Sequence, residues 1–197
     1  MSNEIENGEW DEKKVINRLK KKEERAFVLL VRRFQARLFS IAYAMTLDSE
    51  ESRDIVQEVF LKVFRSMDRF KGDARLSTWL HRITVNECLN WRRRWRIRRR
   101  SQHRPLTDES DDPAAVNLTD KENPESRLRV KEIRDRYLAT LQALPEKTRA
   151  VFILKELEGM SYEQIGAALG LKRGTVASRI HNARRKLKKS LQDEPGE

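Results

Sequence analysis

Residues 105–125 set the first limit on how this chain can fold. The stretch runs Pro105-Leu-Thr-Asp-Glu-Ser-Asp-Asp-Pro-Ala-Ala-Val-Asn-Leu-Thr-Asp-Lys-Glu-Asn-Pro-Glu125, with three prolines, a net charge of −6 and few large apolar residues. Such a segment buries too little apolar surface to offset its ordering entropy. It therefore reads as a flexible acidic linker, 101–127 in full, in preference to a surface loop within one domain. Basic blocks flank it: residues 23–104 carry +9 and residues 126–190 carry +10. The expected layout is two small helical domains, 23–100 and 128–191. Residues 1–22 form an extension that could be disordered, and 192–197 a short tail. With Gly 7 and Pro 5 in 197 residues and 37 % charged, the expected fold class is all-α.

The net charge of +11 favours a polyanion as partner. Other classes fall away. The single cysteine, Cys88, excludes an intramolecular disulfide and a Cys-based zinc site, and reads better as a small core residue than as a redox group. His81, His103 and His181 share no metal-ligand spacing, so no metal or cofactor is expected. No apolar run approaches the ~20 residues of a membrane span, and Met1 to Asp11 is acidic and polar, unlike a signal peptide. A cytoplasmic protein without membrane insertion is the expectation.

The first block reads as three or four helices. Phe27, Leu30, Val31, Phe34, Leu38, Ile41, Ala42 and Met45 recur at helical spacing, and Leu47 to Glu51 is a break with helix-starting residues. A second stripe, Ile55, Val56, Val59, Phe60, Val63, Phe64 and Met67, closes near Phe70. Lys71-Gly72-Asp73 signals a turn, and Ser77 or Thr78 could cap a third helix that ends in the basic run Arg92 to Arg100.

Two faces of these helices stand out. Asp54, Gln57, Glu58 and Leu61 lie at i, i+3, i+4 and i+7, so acids and an apolar residue share one side. In a basic domain that side suits a protein partner better than DNA, although a plain solvated face is the commoner meaning of such a pattern. Trp79, Arg82, Asn86 and Asn90 align an indole, a guanidinium and two amides on one ridge. That ridge can stack an unpaired base and bond its edge, chemistry that a duplex would mask. On spacing alone, a core position for Trp79 stands level with this reading. Trp91, Trp95 and the arginines around them offer further stacking and phosphate contacts.

The second block is more specific. Leu128, Ile133, Leu138, Leu141 and Leu144 give a helix ending at Pro145, and Val151, Phe152, Leu154 and Leu157 another, stopped by Gly159. Ser161-Tyr-Glu-Gln164 is a capping box, Gly170 allows a left-handed turn, and a last helix from about Thr175 carries Val176, Ile180, Ala183, Leu187 and Leu191 inward. This is a helix-turn-helix signature. The opposite face presents Thr175, Ser178, Arg179, Asn182, Arg185 and Lys186, early positions for base edges and later ones for phosphates.

Ala26-Phe27, the run Asp54-Ile-Val-Gln-Glu-Val-Phe-Leu-Lys-Val-Phe64 and the run Phe70-Lys-Gly-Asp-Ala-Arg-Leu-Ser-Thr-Trp-Leu80 together resemble region 2 of bacterial sigma factors. Leu144-Pro-Glu-Lys-Thr-Arg149, Ser161-Tyr-Glu-Gln-Ile-Gly166 and Gly174-Thr-Val-Ala-Ser-Arg-Ile180 resemble region 4 of the small extracytoplasmic-function class. The resemblance spans about residues 23–100 and 128–190, in order. It implies a subunit, not an enzyme, that directs core RNA polymerase to promoters of a stress or envelope regulon and helps melt them. Asp54, Gln57, Glu58, Phe60 and Leu61 would then grip the β′ clamp helices. Lys71, Asp73, Ser77, Thr78, Trp79, Arg82, Asn86 and Asn90 would hold the opened −10 strand. Arg173, Thr175, Ser178, Arg179, His181, Asn182, Arg185 and Lys186 would read the −35 duplex, with region 4 docked on the β flap. The linker would thread toward the RNA exit channel, and an anti-sigma factor would cover both domains.

The chain departs from the class where an arginine often precedes the serine of Val-x-Ser-Arg and another follows three residues after its arginine; Ala177 and Asn182 stand there. Asn182 is suited to a bidentate bond with adenine. A free-standing helix-turn-helix regulator and a nucleic-acid enzyme are the alternatives. The first leaves the Asp54–Leu61 face and the Trp79 ridge unexplained, and the second lacks any metal cluster or acid/base pair.

Overall fold

The computed structural model describes residues 10–101 and 124–192, with side chains placed for 10–94 and 130–192. The acidic linker centre and the last five residues lie outside the described residues. Among those described there are eight α-helices and no strand. They are α1 (Glu12–Lys20), α2 (Glu24–Thr46), α3 (Ser49–Ser66), α4 (Leu76–Ser101), α5 (Pro124–Ala143), α6 (Glu146–Glu156), α7 (Tyr162–Leu169) and α8 (Arg173–Gln192). A 3-10 turn, Met67–Arg69, follows α3.

Local chemistry explains most boundaries. Leu47 takes a left-handed conformation at φ 59° to end α2, and Asp48 starts α3 by accepting from the Glu51 amide at 2.9 Å. The Ser161 and Gln164 side chains close the expected capping box on α7, which Gly170 ends at φ 65°.

Two boundaries and one burial pattern differ from the sequence expectation. Residues 12–20, expected in an extension that could be disordered, are helical: Asp11 caps α1, while Val15 and Leu19 are buried on α2 and the 3-10 turn. α4 begins at Leu76, so Ser77 and Thr78 lie inside its first turn and do not cap it. The amide of Leu76 instead donates to Glu12 Oε1 at 2.8 Å, across 64 residues. Ile133 and Leu191, expected inward, are 55 % and 42 % exposed, because α5 and α8 extend past the core they share with α6.

The core is continuous across the two halves of the chain. In α6, Ala150, Val151, Phe152, Ile153 and Leu154 are all buried, so this helix is apolar around its whole circumference. Such a helix needs neighbours on every side. It has α8 and α7 on one flank and α2 and α4 on the other. Ion pairs complete the joint. α2 ends without a basic residue in its last turn, leaving carbonyls and the negative end of the helix dipole exposed. Arg149 of α6 and Arg92 of α4 both donate to the Met45 carbonyl there, at 2.8 and 3.1 Å. Arg149 has no exposed surface and also reaches the Gln142 and Leu144 carbonyls. Burial and the neighbouring Arg92 pull its pKa down to about 10, which leaves it charged at neutral pH.

The second tie is Glu158. The left-handed Gly159 (φ 61°) follows it, and its carboxylate, 3 % exposed, enters the first four helices. There Oε1 lies 2.9 Å from Arg37 Nε, and Oε2 lies 3.0 Å from His81 Nδ1. Burial pushes the Glu158 carboxyl up while Arg37 holds it back. Burial first, and Arg37 second, push His81 down to about 4. Arg37 already answers the carboxylate, so the ring stays neutral and donates Nδ1–H.

The sign of the pH effect follows. Below its ordinary pKa of about 6.5, His81 takes a proton in the unfolded chain that it does not take when folded. This stability is complete above about pH 6.5 and falls as the pH drops toward 4. Glu158, its pKa raised, has the opposite sign, but only over the carboxylate range. We predict that lowering the pH from 7 to 5.5 costs about 1 kcal/mol that His81→Gln abolishes, measured by urea unfolding at each pH.

Candidate nucleic-acid interface

The loop before α4 is built for exposure. Phe70 is 4 % exposed and anchors its entry, Gly72 turns it at φ 82°, and Lys71 to Arg75 are all exposed. Leu76 and Leu80 then sink α4 into the core. Trp79 is half-buried, its ring 5.0 Å from Phe70 and tilted by 48°. The indole is thus packed on one part of its surface and exposed on another. Arg82 is exposed, Asn86 and Asn90 are half-buried, and so are Ser77 and Thr78 in the first turn. Loop and ridge form one surface of exposed cations, amides and an indole, a chemistry suited to stacking and edge bonding of unpaired bases.

On α3, Asp54, Gln57 and Leu61 are exposed, with Glu58 half-buried beside them. Phe60 is not part of this face. It is 7 % exposed and meets Phe27 edge-on at 6.3 Å, a core position. Phe64, expected in the core, is instead 41 % exposed and sits 5.4 Å from Phe27. Its spacing shows why: it stands seven residues from Gln57 and three from Leu61, on the acidic side. With Leu61, also 41 % exposed, it makes the face more apolar than its acids suggested. Lys62 ties α3 to α4 through Glu87 at 2.6 Å.

A groove of about 1290 Å³ runs along this region between the two halves of the chain. Val31 and Phe39 of α2, Gln57 and Leu61 of α3, and Tyr137 and Leu138 of α5 line it. The acidic-apolar face therefore borders α5 and is not wholly open.

In the helix-turn-helix, α7 approaches the turn before α8 closely at Gly166. A Cβ on Gly166 would stand 2.7 Å from the Leu171 carbonyl oxygen, and that residue's N–H donates back to the Gly166 carbonyl at 2.9 Å. Gly166 is a structural requirement that the sequence signalled only as part of a motif. Val176, Ile180, Ala183 and Leu187 hold α8 down. Ser178, His181, Asn182, Arg185 and Lys186 are exposed, and Thr175 is half-buried. Arg185 Nη2 donates to Asn182 Oδ1 at 3.3 Å, orienting the amide along the helix. Arg173 is exposed and pairs with Glu163 at 2.8 Å. Arg179 differs: its Nη1 is buried without a hydrogen-bond partner, and the side chain lines a recess shared with Arg92 and the α5–α6 turn. It stands apart from the outward row in this arrangement.

Among the described residues no group of His, Cys, Asp and Glu is arranged to hold a metal ion, and no helix is long and apolar enough to cross a membrane. Cys88 is buried, and burial pushes its thiol above the ordinary range.

Comparison with known proteins matches residues 30–99 to sigma-70 region 2 and residues 134–187 to sigma-70 region 4. The chain is 33 % identical to the RNA polymerase sigma-H factor of Pseudomonas aeruginosa, over 92 % of this chain and 94 % of that one. The chain belongs to the extracytoplasmic-function class of the sigma-70 family. It is also 35 % identical to the ECF RNA polymerase sigma-E factor of Escherichia coli, over 90 % of this chain and 93 % of that protein. The fold is shared with the sigma factor RpoE in complex with the anti-sigma factor NepR from Bartonella quintana, at TM-score 0.66 and 24 % identity over 85 % of this chain and 98 % of that one. It is shared also with CnrH in complex with the cytosolic domain of CnrY, at TM-score 0.65 and 24 % identity over 93 % and 99 %. The protein is a promoter-recognising sigma factor. α1 and the first turn of α2 precede the matched part of region 2.

In this sigma factor, Gly166→Ala is expected to lower stability by about 1–3 kcal/mol, since the clashing atom is backbone. Thermal unfolding checks it, with Gly174→Ala, where a Cβ meets nothing within 4 Å, as the control.

Proposed function

We propose a division of labour in which residues 23–100 engage core polymerase and the melted −10 strand, and 128–191 read the −35 duplex. The observation that carries it is the pairing of unlike surfaces on one chain: an exposed loop and indole-amide ridge in one half, and a helix-turn-helix face in the other. An enzyme acting on nucleic acid would need an acid/base or metal constellation in addition, and the sigma factor leaves the chemistry to the polymerase. Its place of action would be the cytoplasm.

The Asp54, Gln57, Glu58 and Leu61 face, with Phe64 beside it, is the proposed contact for the β′ clamp helices. Its mix of carboxylates and apolar side chains suits a basic or mixed protein surface and repels DNA. Lys71, Asp73, Ser77, Thr78 and the ridge from Trp79 to Asn90 would take the non-paired strand. Thr175, Ser178, Asn182, Arg185 and Lys186 would enter the major groove, with Arg173, Arg179 and His181 at the margins, and region 4 would dock on the β flap. The solved relatives named above are bound to anti-sigma factors. A regulator of that kind is proposed here as well, able to touch both halves along the groove between α2–α3 and α5.

The test is run-off transcription with sigma-free core polymerase and genomic promoter fragments. Promoter-dependent transcripts are expected. Tight operator binding by the protein alone, without any stimulation of core, would replace this reading with a free-standing regulator. Asp54→Lys combined with Glu58→Lys is expected to cut co-purification with core at least ten-fold while leaving the circular dichroism spectrum unchanged. Asn182→Ala should flatten the preference for one −35 base by about 1–3 kcal/mol, read by ranking promoter variants in the same assay.

A further inference from the structure

α1 precedes the recognised region 2, and nothing in the roles proposed above uses it. Its anchoring is nevertheless elaborate. Trp10 meets Phe34 edge-on at 5.8 Å and lies under the Arg33 guanidinium at 4.6 Å. Asp11 accepts from the Lys14 amide at 3.1 Å and so caps α1 itself. That leaves the next carboxylate, Glu12, with no duty to its own helix. It reaches instead to the first residue of α4, accepting the Leu76 amide at 2.8 Å.

The bond sits at the start of α4, where the residue in the capping position cannot cap. The Arg75 carbonyl accepts the first helical bond, from Trp79 at 3.2 Å, so Arg75 occupies the capping position. Its side chain carries only donors and cannot accept from the first-turn amides. The helix that follows is 26 residues long, and an anion at its start is doubly favoured, by the amide it accepts and by the helix dipole. Immediately before Leu76 lie the five exposed residues Lys71 to Arg75, and three after it lies Trp79.

We infer that Glu12 is a positioning residue for strand capture: as a cap supplied in trans, it sets where α4 begins and so where the 71–75 loop and Trp79 stand. Without it the first turn frays, the loop lengthens into that turn, and Trp79 loses its fixed tilt on Phe70. The inference rests on the reading of the loop and ridge as the single-strand surface. It adds a residue more than sixty positions away that touches no base.

The experiment uses the full-length protein and two readouts. The first is amide hydrogen exchange over residues 70–80. The second is binding of a fluorescein-labelled single-stranded DNA enriched from a random pool on the wild-type protein. Glu12→Ala should speed exchange at Leu76 to Thr78 at least ten-fold, leave α7 and α8 unchanged, and weaken strand binding about five-fold, as expected for a lost cap. Glu12→Gln, whose amide oxygen can still accept from Leu76, should restore most of both. Unchanged exchange in Glu12→Ala, a glutamine variant as impaired as the alanine one, or equal loosening of α8 would each overturn the inference. If the pool yields no strand bound by the wild-type protein, the single-strand reading fails, and exchange alone then decides whether Glu12 caps α4.

Discussion

The carbonyl of Met45 is the point on which both halves of this sigma factor are hung. A helix C-terminus concentrates partial negative charge, and α2 offers no basic residue in its own last turn to meet it. Arg92 and Arg149 arrive from opposite halves of the chain to do so. A guanidinium with no exposed surface is costly to bury, and Arg149 is tolerable there because backbone carbonyls from α2 and the α5–α6 turn receive it. Once it is placed, α6 has no freedom to turn. Its wholly buried run from Ala150 to Leu154 then seats α8 on one flank and α2 and α4 on the other.

The same placement couples the functional surfaces. Glu158, carried at the end of α6, enters between Arg37 and His81. Arg179 of α8 is drawn into the recess beside Arg92. The acidic-apolar face of α3 borders the groove over which α5 stands. Each half thus turns an exposed polar row outward but shares part of its margin with the other.

Much of the site was legible because its determinants are local. Ser161 and Gln164 cap α7 within one turn, Leu47 and Asp48 break and restart the chain at adjacent positions, and the outward row on α8 follows from helical period alone. Misreadings arose where period ran out. Phe60 and Phe64 differ by about one helical turn and share the apolar stripe, and Phe60 also falls in the clamp-binding set; both rings meet Phe27, and only the tertiary packing buries Phe60 and leaves Phe64 41 % exposed. Ile133 and Leu191 were read as inward because period says which residues share a face but not how far along a helix the core extends. Local rules offer Ser77 or Thr78 as a cap, and none of them points to a carboxylate 64 residues upstream.

The sequence by itself determined the all-α class, the positions of most helix ends and the two basic blocks, since propensity, capping and charge act over a few residues. It also determined which side chains stand on one face: the amide ridge of α4, the acids of α3 and the polar row of α8. Tertiary structure alone decided that α1 braces the start of α4, that α6 joins the two halves into one core, and that Arg149, Glu158 and Arg179 turn inward. Those outcomes depend on where a helix end leaves unsatisfied carbonyls and amides and on which distant side chain comes near enough to meet them, and neither is written in the spacing of neighbours.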